Sequence, residues 1–327
     1  MHLTGTSALV LACGCVLGTP VLLYAWLWSA GRISAALPRR AGRVVQLAAW
    51  LGPALALLGV YLLWPLVSTV ILSFQDAAGK RWAGADNFRY LAGDPDVRSA
   101  LANNALWLVV LVTACVVVGL VVALLGNQVR YEAAAKVAVI APLSISFVSG
   151  AVIWRSMYDY APPGLPQTGT LNAVLTSLVQ AEPVAWLIDE RANNPALITV
   201  GVWMTAGFAT VILSAAVKGI PAELYEAARV DGATWRQELR HITLPQLRPA
   251  LLVVSVMVAI AALKAFDIVY VMTNGSYQTN VIANVLYQQL FVNQDYGKAS
   301  AIALLLIVLA SPVIAVNHRS QRAGEER

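Results

Sequence analysis

The sequence predicts an all-α membrane protein with about seven transmembrane helices, and three observations carry that prediction. Of 327 residues, 59% are hydrophobic and only 12% are charged, against about 25% charged in a soluble globular chain. Several charge-free stretches reach the roughly 20 residues needed to cross a bilayer. Those stretches are continuously apolar and do not alternate, which points to helices rather than a barrel.

Taken in order, the apolar runs fall at 7–29, 46–74, 101–127, 137–157, 196–217, 249–272 and 298–316. The first has no basic segment before it, so it reads as a retained anchor, not a cleaved signal. Arg32, Arg39, Arg40 and Arg43 cluster after it and assign that linker to the cytoplasmic side, with the N-terminus outside. The same count puts Arg130, Lys136, Lys218, Arg229, Arg236, Arg240 and Arg248 inside, and the tail with Arg319, Arg322 and Arg327 inside. The loop at 158–195 then lies outside. It carries Asp159, Glu182, Asp189 and Glu190 against Arg191, and its apolar, proline-containing composition suits a packed cap. Pro65 and Pro142 each sit inside a run and predict kinks. Residues 1–44 read as anchor plus basic linker, and residues 45–327 as the main transmembrane domain, with a polar loop at 218–245.

The net charge of +5 fits basic cytoplasmic loops and does not call for nucleic acid. Cys13, Cys15 and Cys115 all lie in apolar runs, in no zinc or disulfide pattern. They read as packing or lipid-facing residues. No metal site, paired carboxylates or nucleophile arrangement stands out, and no GxxxxGK[ST] phosphate loop is present. ATP hydrolysis is therefore not expected of this chain.

The polar loop has its own architecture. Pro221 suits a helix start, and Glu223 sits in the first turn, where negative charge complements the dipole. Residues 222–230 give two turns with Leu224, Ala227 and Ala228 on one face. Two alanines there allow close approach of a partner. Gly232 is placed for a left-handed terminating turn. Thr234 with Gln237 resembles a capping box opening a second short helix, which Pro245 is expected to end, with Pro249 starting the next span. The mixed charges (Glu226, Arg229, Asp231, Arg236, Glu238, Arg240) suit a protein partner better than a lipid surface.

Glu226-Ala227-Ala228, Gly232 and Ile242-x-Leu244-Pro245 together resemble the cytoplasmic "EAA" loop of permease subunits in binding-protein-dependent ABC importers. Asn87-Phe88-x-Tyr90, Asn103-Asn104, Thr273-Asn274-Gly275 and Tyr296-Gly297-x-Ala299-Ser300-Ala301 resemble other segments of sugar permeases of the maltose-transporter superfamily. Ser144-Ile145-Ser146-Phe147-Val148, Val152-Ile153-Trp154, Tyr158-Asp159-Tyr160 and Leu171-Asn172-Ala173 are most similar to permeases for alpha-glucosides and glucosylglycerol. The resemblance implies a six-helix type I importer core plus one extra N-terminal helix, in the bacterial cytoplasmic (inner) membrane. It implies as partners a second homologous permease, two ATP-binding subunits, an extracytoplasmic solute-binding protein, a sugar and membrane lipid. ATP and Mg would sit on the partner ATPases, with no cofactor on this chain. Glu223, Glu226, Ala227, Ala228, Arg229, Asp231 and Gly232 would couple to the ATPases.

Candidate substrate contacts are polar and aromatic side chains inside the spans. Lys264 and Asp267, three apart, are placed to pair on one helical face, as a substrate contact or as a structural ion pair. Tyr270, one turn on, offers a ring face. Trp154, Tyr158 and Asp159 are candidates near the outer end of the fourth run, with an interfacial aromatic belt as the alternative for Tyr158 and Tyr160. Trp203, Thr205 and Ser255 complete the set, and Asn103 and Asn104 read as caps on the outer end of the third run. A polyol or glycerol phosphate is the alternative cargo. A secondary transporter would not need the loop.

Overall fold

The computed structural model describes residues 18, 20–21, 24–126 and 132–325. The N-terminus, Cys13, Cys15, Arg130, Arg327 and most of the expected first span lie outside the described residues, as do the side chains of Arg319 and Arg322. The chain divides into two compact units, one up to Thr69 and one from Val70. Every regular element among the described residues is helical, apart from a single bridge between Gln75 and Trp82.

The first unit contains a helical hairpin. Helix α1 runs through residues 24–35, and α2 spans Arg39–Leu58. The basic residues expected in a linker are therefore helical, and the connection shrinks to residues 36–38. Trp26 Nε1 donates to the Ala49 carbonyl at 3.1 Å, and Arg32 lies 3.9 Å over the Trp28 ring. A π-turn at Gly59–Leu63 leads into α3, Trp64–Leu72, so Arg39–Leu72 is one apolar run of 34 residues. Pro65 sits just past the π-turn. Trp64 N–H bonds five residues back, to Gly59 O, and the widened turn makes room where proline supplies no amide.

The second unit comprises α4 (Asp86–Gly93), α5 (Pro95–Gly126), α6 (Glu132–Ile140), α7 (Phe147–Met157), α8 (Thr170–Leu178), α9 (Asn193–Lys218), α10 (Ala222–Val230), α11 (Trp235–Glu238), α12 (Leu244–Leu263), α13 (Asp267–Met272), α14 (Ile282–Tyr287) and α15 (Tyr296–Glu325). Helices α5 and α9 pack along their length around Trp107, Leu111, Cys115, Leu197, Met204 and Leu213. Small residues permit the approach, as expected where lipid supplies no hydrophobic drive. A Cβ at Gly119 would stand 2.8 Å from Ala209 Cβ, and one at Gly207 would stand 2.6 Å from the Val139 carbonyl. Cys115 is fully buried and serves packing.

Five described helical runs are long and apolar enough to cross a membrane, or six with one bent pair. That pair corrects the expectation of a continuous fourth span with a packing kink. The run through Ala134–Ser144 and the run Phe147–Met157 meet at 107°. Pro142 closes a 3₁₀ turn at Ala141–Ser144, and Ser146 opens a new helix by accepting Ser149 N–H at 3.1 Å.

Buried asparagines organise one end of the unit. Asn103 Nδ2 donates to the Gln278 and Asn280 carbonyls (2.7 and 2.8 Å), and Asn104 Oδ1 accepts Ile282 N–H at 2.8 Å. Asn193 Nδ2 reaches Tyr277 O at 2.6 Å. Asn103 and Asn104 thus lie inside α5 and tie down the segment after α13; they do not cap the helix. Asn87 bridges the Ser73 and Gln75 carbonyls (2.9 and 2.7 Å). A Cβ on Gly297 would run into Gln75 O and Asn87 Nδ2, which is why the second residue of α15 is a glycine. In the 158–195 segment Asn172 is a hub. It donates to Asp159 O and Val184 O and accepts from Val184 N–H and Trp186 Nε1.

Candidate functional site

Two features sit at opposite ends of the same helix. At the start of α12 lies the elbow formed by α10 and α11. Pro221 enters with φ −57° and no amide to satisfy. Helix α10 closes with Asp231 N–H on Ala227 O (3.1 Å) and Ala233 N–H on Ala228 O (2.9 Å), around Gly232 at φ +75°. Glycine holds that left-handed position without strain. Thr234 N–H donates to Gln237 Oε1 at 2.7 Å and opens α11.

Two side-chain ties fix the elbow. The Tyr225 and Thr243 hydroxyls are 3.0 Å apart. Arg229 Nε donates to Glu238 Oε1 at 3.2 Å, with the Glu238 carboxylate largely buried and Arg229 mostly exposed. Arg229 and Glu238 therefore hold each other, whereas the sequence showed them as two of six equivalent surface charges. Glu223 and Glu226 are exposed and make no contact of this kind within the described residues. The elbow presents Leu224, Val230 and Trp235 to the surroundings, Val230 at 88% exposure.

The elbow does not end where Pro245 stands. Helix α11 continues through a π-turn at Leu239–Thr243 into α12, and Leu244 N–H bonds to Leu239 O. This repeats the arrangement before Pro65. Pro249 lies inside α12 rather than at its start.

At the other end of α12 the helix breaks. Lys264 terminates it with φ −97° and ψ 15°, and Asp267 opens α13. The two expected to pair on one helical face are thus separated by the break, and no ion pair within 4 Å joins them. Both line a cavity of about 360 Å³, together with Trp107, Phe147, Thr205 and Phe266. Phe147 comes from the first turn of α7, just past the 107° bend. Trp107 is 1% exposed and its indole nitrogen has no hydrogen-bond partner among the described residues. The wall offers aromatic faces, one cation, one anion and a hydroxyl, a set able to hold a polar molecule with apolar faces.

The other candidates lie elsewhere. Trp154, Tyr158 and Trp203 form an aromatic core, Trp154 being 5.3 Å from Tyr158 and 5.7 Å from Trp203 between ring centroids. Tyr158 is 4% exposed and donates to Ala196 O at 3.1 Å, so it is interior and not part of a belt. Asp159 accepts from Thr168 Oγ1 and Tyr160 N–H. The Thr168 hydroxyl, then the amide, hold its carboxyl below the usual range. Ser255 lines a separate apolar recess with Leu108, Val112 and Val256. Tyr270 stacks on Phe266 at 5.0 Å. Sequence reasoning missed Trp107, Phe147 and Phe266. Phe266 carried a signal in its position between Lys264 and Asp267, whereas Trp107 and Phe147 look like any aromatic in an apolar run.

A helical bundle with an interior polar-aromatic cavity, joined by one helix to a presented elbow, defines a membrane-spanning transport subunit. The chain belongs to the family of binding-protein-dependent transport system inner membrane components, whose profile matches residues 116–323. It is 46% identical over 274 residues to the osmoprotective compounds uptake permease protein GgtC of Synechocystis, covering 84% of this chain and 98% of that protein. It is 37% identical over 315 residues to the alpha-glucoside transport system permease protein AglF of Rhizobium meliloti, covering 95% and 94%. Among solved structures it is similar to a bacterial ABC transporter involved in the import of the acidic polysaccharide alginate. That match has a TM-score of 0.74 at 27% identity, covering 87% of this chain and 98% of that one.

Proposed function

We propose that this permease subunit passes a neutral sugar, an alpha-glucoside or glucosylglycerol-like molecule, delivered by an extracytoplasmic binding protein. The observation that carries the reading is the cavity wall. Lys264 and Asp267 offset each other in charge while Trp107 and Phe266 supply ring faces. A phosphate-bearing cargo would call for surplus cation there. AglF is an alpha-glucoside permease by name and GgtC a permease for osmoprotective compounds, and the alginate transporter has been crystallised with an alginate pentasaccharide-bound periplasmic protein.

The partners are a second, homologous permease, two ATP-binding subunits that hold ATP and Mg, and the binding protein. The elbow at Ala222–Val230 is the surface the ATPases grip, through Glu223, Glu226, Ala227, Ala228, Asp231 and Gly232, with Arg229 positioning them through Glu238. Helix α12 then transmits the motion. Its 20 residues make a rod of about 30 Å from elbow to cavity wall, so rotating the elbow moves Lys264 against Thr205 and Trp107. Nucleotide binding by the partners biases the two states. The distribution of basic residues supports a cytoplasmic elbow and C-terminus with the N-terminus outside. Residues 1–44 act as an anchor and 45–327 as the transport domain.

The test is a thermal-shift ligand screen on the cognate binding protein, followed by uptake of the best ligand through the assembled importer. A glucoside that stabilises the binding protein and is taken up only with ATP supports the reading. Preference for a polyol or glycerol phosphate overturns the cargo, and uptake driven without the ATPases overturns the coupling.

A further inference from the structure

Aromatic contact does not stop at the cavity wall. Phe266 lines the cavity and stacks on Tyr270 with ring planes 22° apart. It also touches Tyr287, 5.2 Å away between centroids. Tyr270 meets Tyr287 edge-on at 4.9 Å, with their hydroxyls 3.3 Å apart. Tyr287 in turn contacts Phe291 at 5.0 Å. The series starts at the break between α12 and α13. It ends two residues short of Asn293, beyond which Tyr296 N–H bonds to Ala77 O at 2.9 Å. That is the loop end of the unit, away from the elbow.

The rings are not core. Phe291 is 63% exposed and Tyr270 37%. Nor does the edge suit lipid. Two phenol hydroxyls meet on it, and Gln288 beside them donates to Asn274 O at 3.3 Å. A pyranose has C–H groups on its faces and hydroxyls around its rim. Ring faces take the first and phenols the second.

We propose that Phe266, Tyr270, Tyr287 and Phe291 form a continuous track along which the sugar is handed from the loop end of the bundle to the cavity. The proposal rests on the glucoside reading above. Physically, a row of weak, similar sites moves a ligand faster than one deep well, because each step is easy to leave. The track sets the rate of delivery, and the cavity sets selectivity.

The test uses the assembled importer with its binding protein and follows initial uptake of labelled alpha-glucoside. Tyr287→Leu and Phe291→Leu keep apolar bulk and remove the ring. Each is expected to lower maximal uptake about three- to tenfold, with ATPase and second permease still copurifying. Tyr287→Phe and Phe291→Trp keep a ring and are expected to retain at least about half of parental uptake. Leucine variants that transport at the parental rate overturn the track alone. Leucine variants that lose the second permease in parallel with uptake show a subunit interface instead, which also overturns it. A parent importer that takes up no glucoside overturns the cargo reading and the track together.

Discussion

Replacing Gly232 isolates a backbone effect on coupling. Its φ of +75° lies in the left-handed region, and a Cβ built there meets no atom of the described residues within 4 Å, its two chain neighbours aside. The penalty for a side chain is therefore conformational, about 1–2 kcal/mol for an ordinary L-residue. The ties that hold the elbow are of similar size. The Tyr225–Thr243 contact is worth about 0.5–1.5 kcal/mol, and the Arg229–Glu238 pair, with its arginine exposed, about 0–1 kcal/mol. A perturbation that matches its restraints shifts the population of the formed elbow. For Gly232→Val we expect about five- to thirtyfold weaker binding of the ATPase subunits. Asparagine tolerates the left-handed region, so Gly232→Asn is expected within about threefold of the parent. The assay is titration of the solubilised permease pair with ATPase subunits, alongside a check that both variants reach the membrane. Equal losses for valine and asparagine would show that the partner needs the empty space itself and would refute the conformational argument. An undamaged valine variant would refute it too.

Three further outcomes are expected. Glu226→Lys reverses an exposed charge that has no ion-pair partner among the described residues, so it should leave membrane insertion intact and weaken ATPase copurification about tenfold or more; parental copurification would contradict the docking assignment. Asn104→Leu strands the buried Ile282 amide, a cost of about 1–3 kcal/mol, and should lower the thermal midpoint in detergent by roughly 2–10 °C; an unchanged midpoint would show that the amide finds another acceptor. Gly119→Leu forces a side chain into Ala209 and should cost about 1–3 kcal/mol, read as faster unfolding in the same detergent, and parental kinetics would show that α5 and α9 can part without loss.

The elbow was legible because its signals are local. A helix-starting proline, a helix-ending glycine and a threonine–glutamine cap each act within a turn, and each does what its chemistry dictates. The long apolar runs of α5 and α9 were legible for the same reason. What the sequence hid depends on how a helix is interrupted. Pro142 marked the fourth span, yet a kink and a 107° turn differ only by the new cap at Ser146. Pro65 and Pro245 showed where amides are missing but not that a π-turn precedes each. Lys264 and Asp267 have helical spacing, and that spacing misleads because the helix ends between them. The cavity was half visible. Its ionic residues stood out against an apolar run, whereas Trp107 and Phe147 gained meaning only when α5, α7 and α12 met.

The π-turn at Leu239–Thr243 has one more consequence. It holds one residue beyond what an α-helix would use over the same rise, and each residue of an α-helix turns the chain by about 100°. The widened turn absorbs that residue, so the elbow and α12 keep the relative azimuth of one continuous helix. Deleting one residue there would heal the turn to a plain α-turn and leave the elbow facing the same way, while closing the room the chain makes ahead of Pro245.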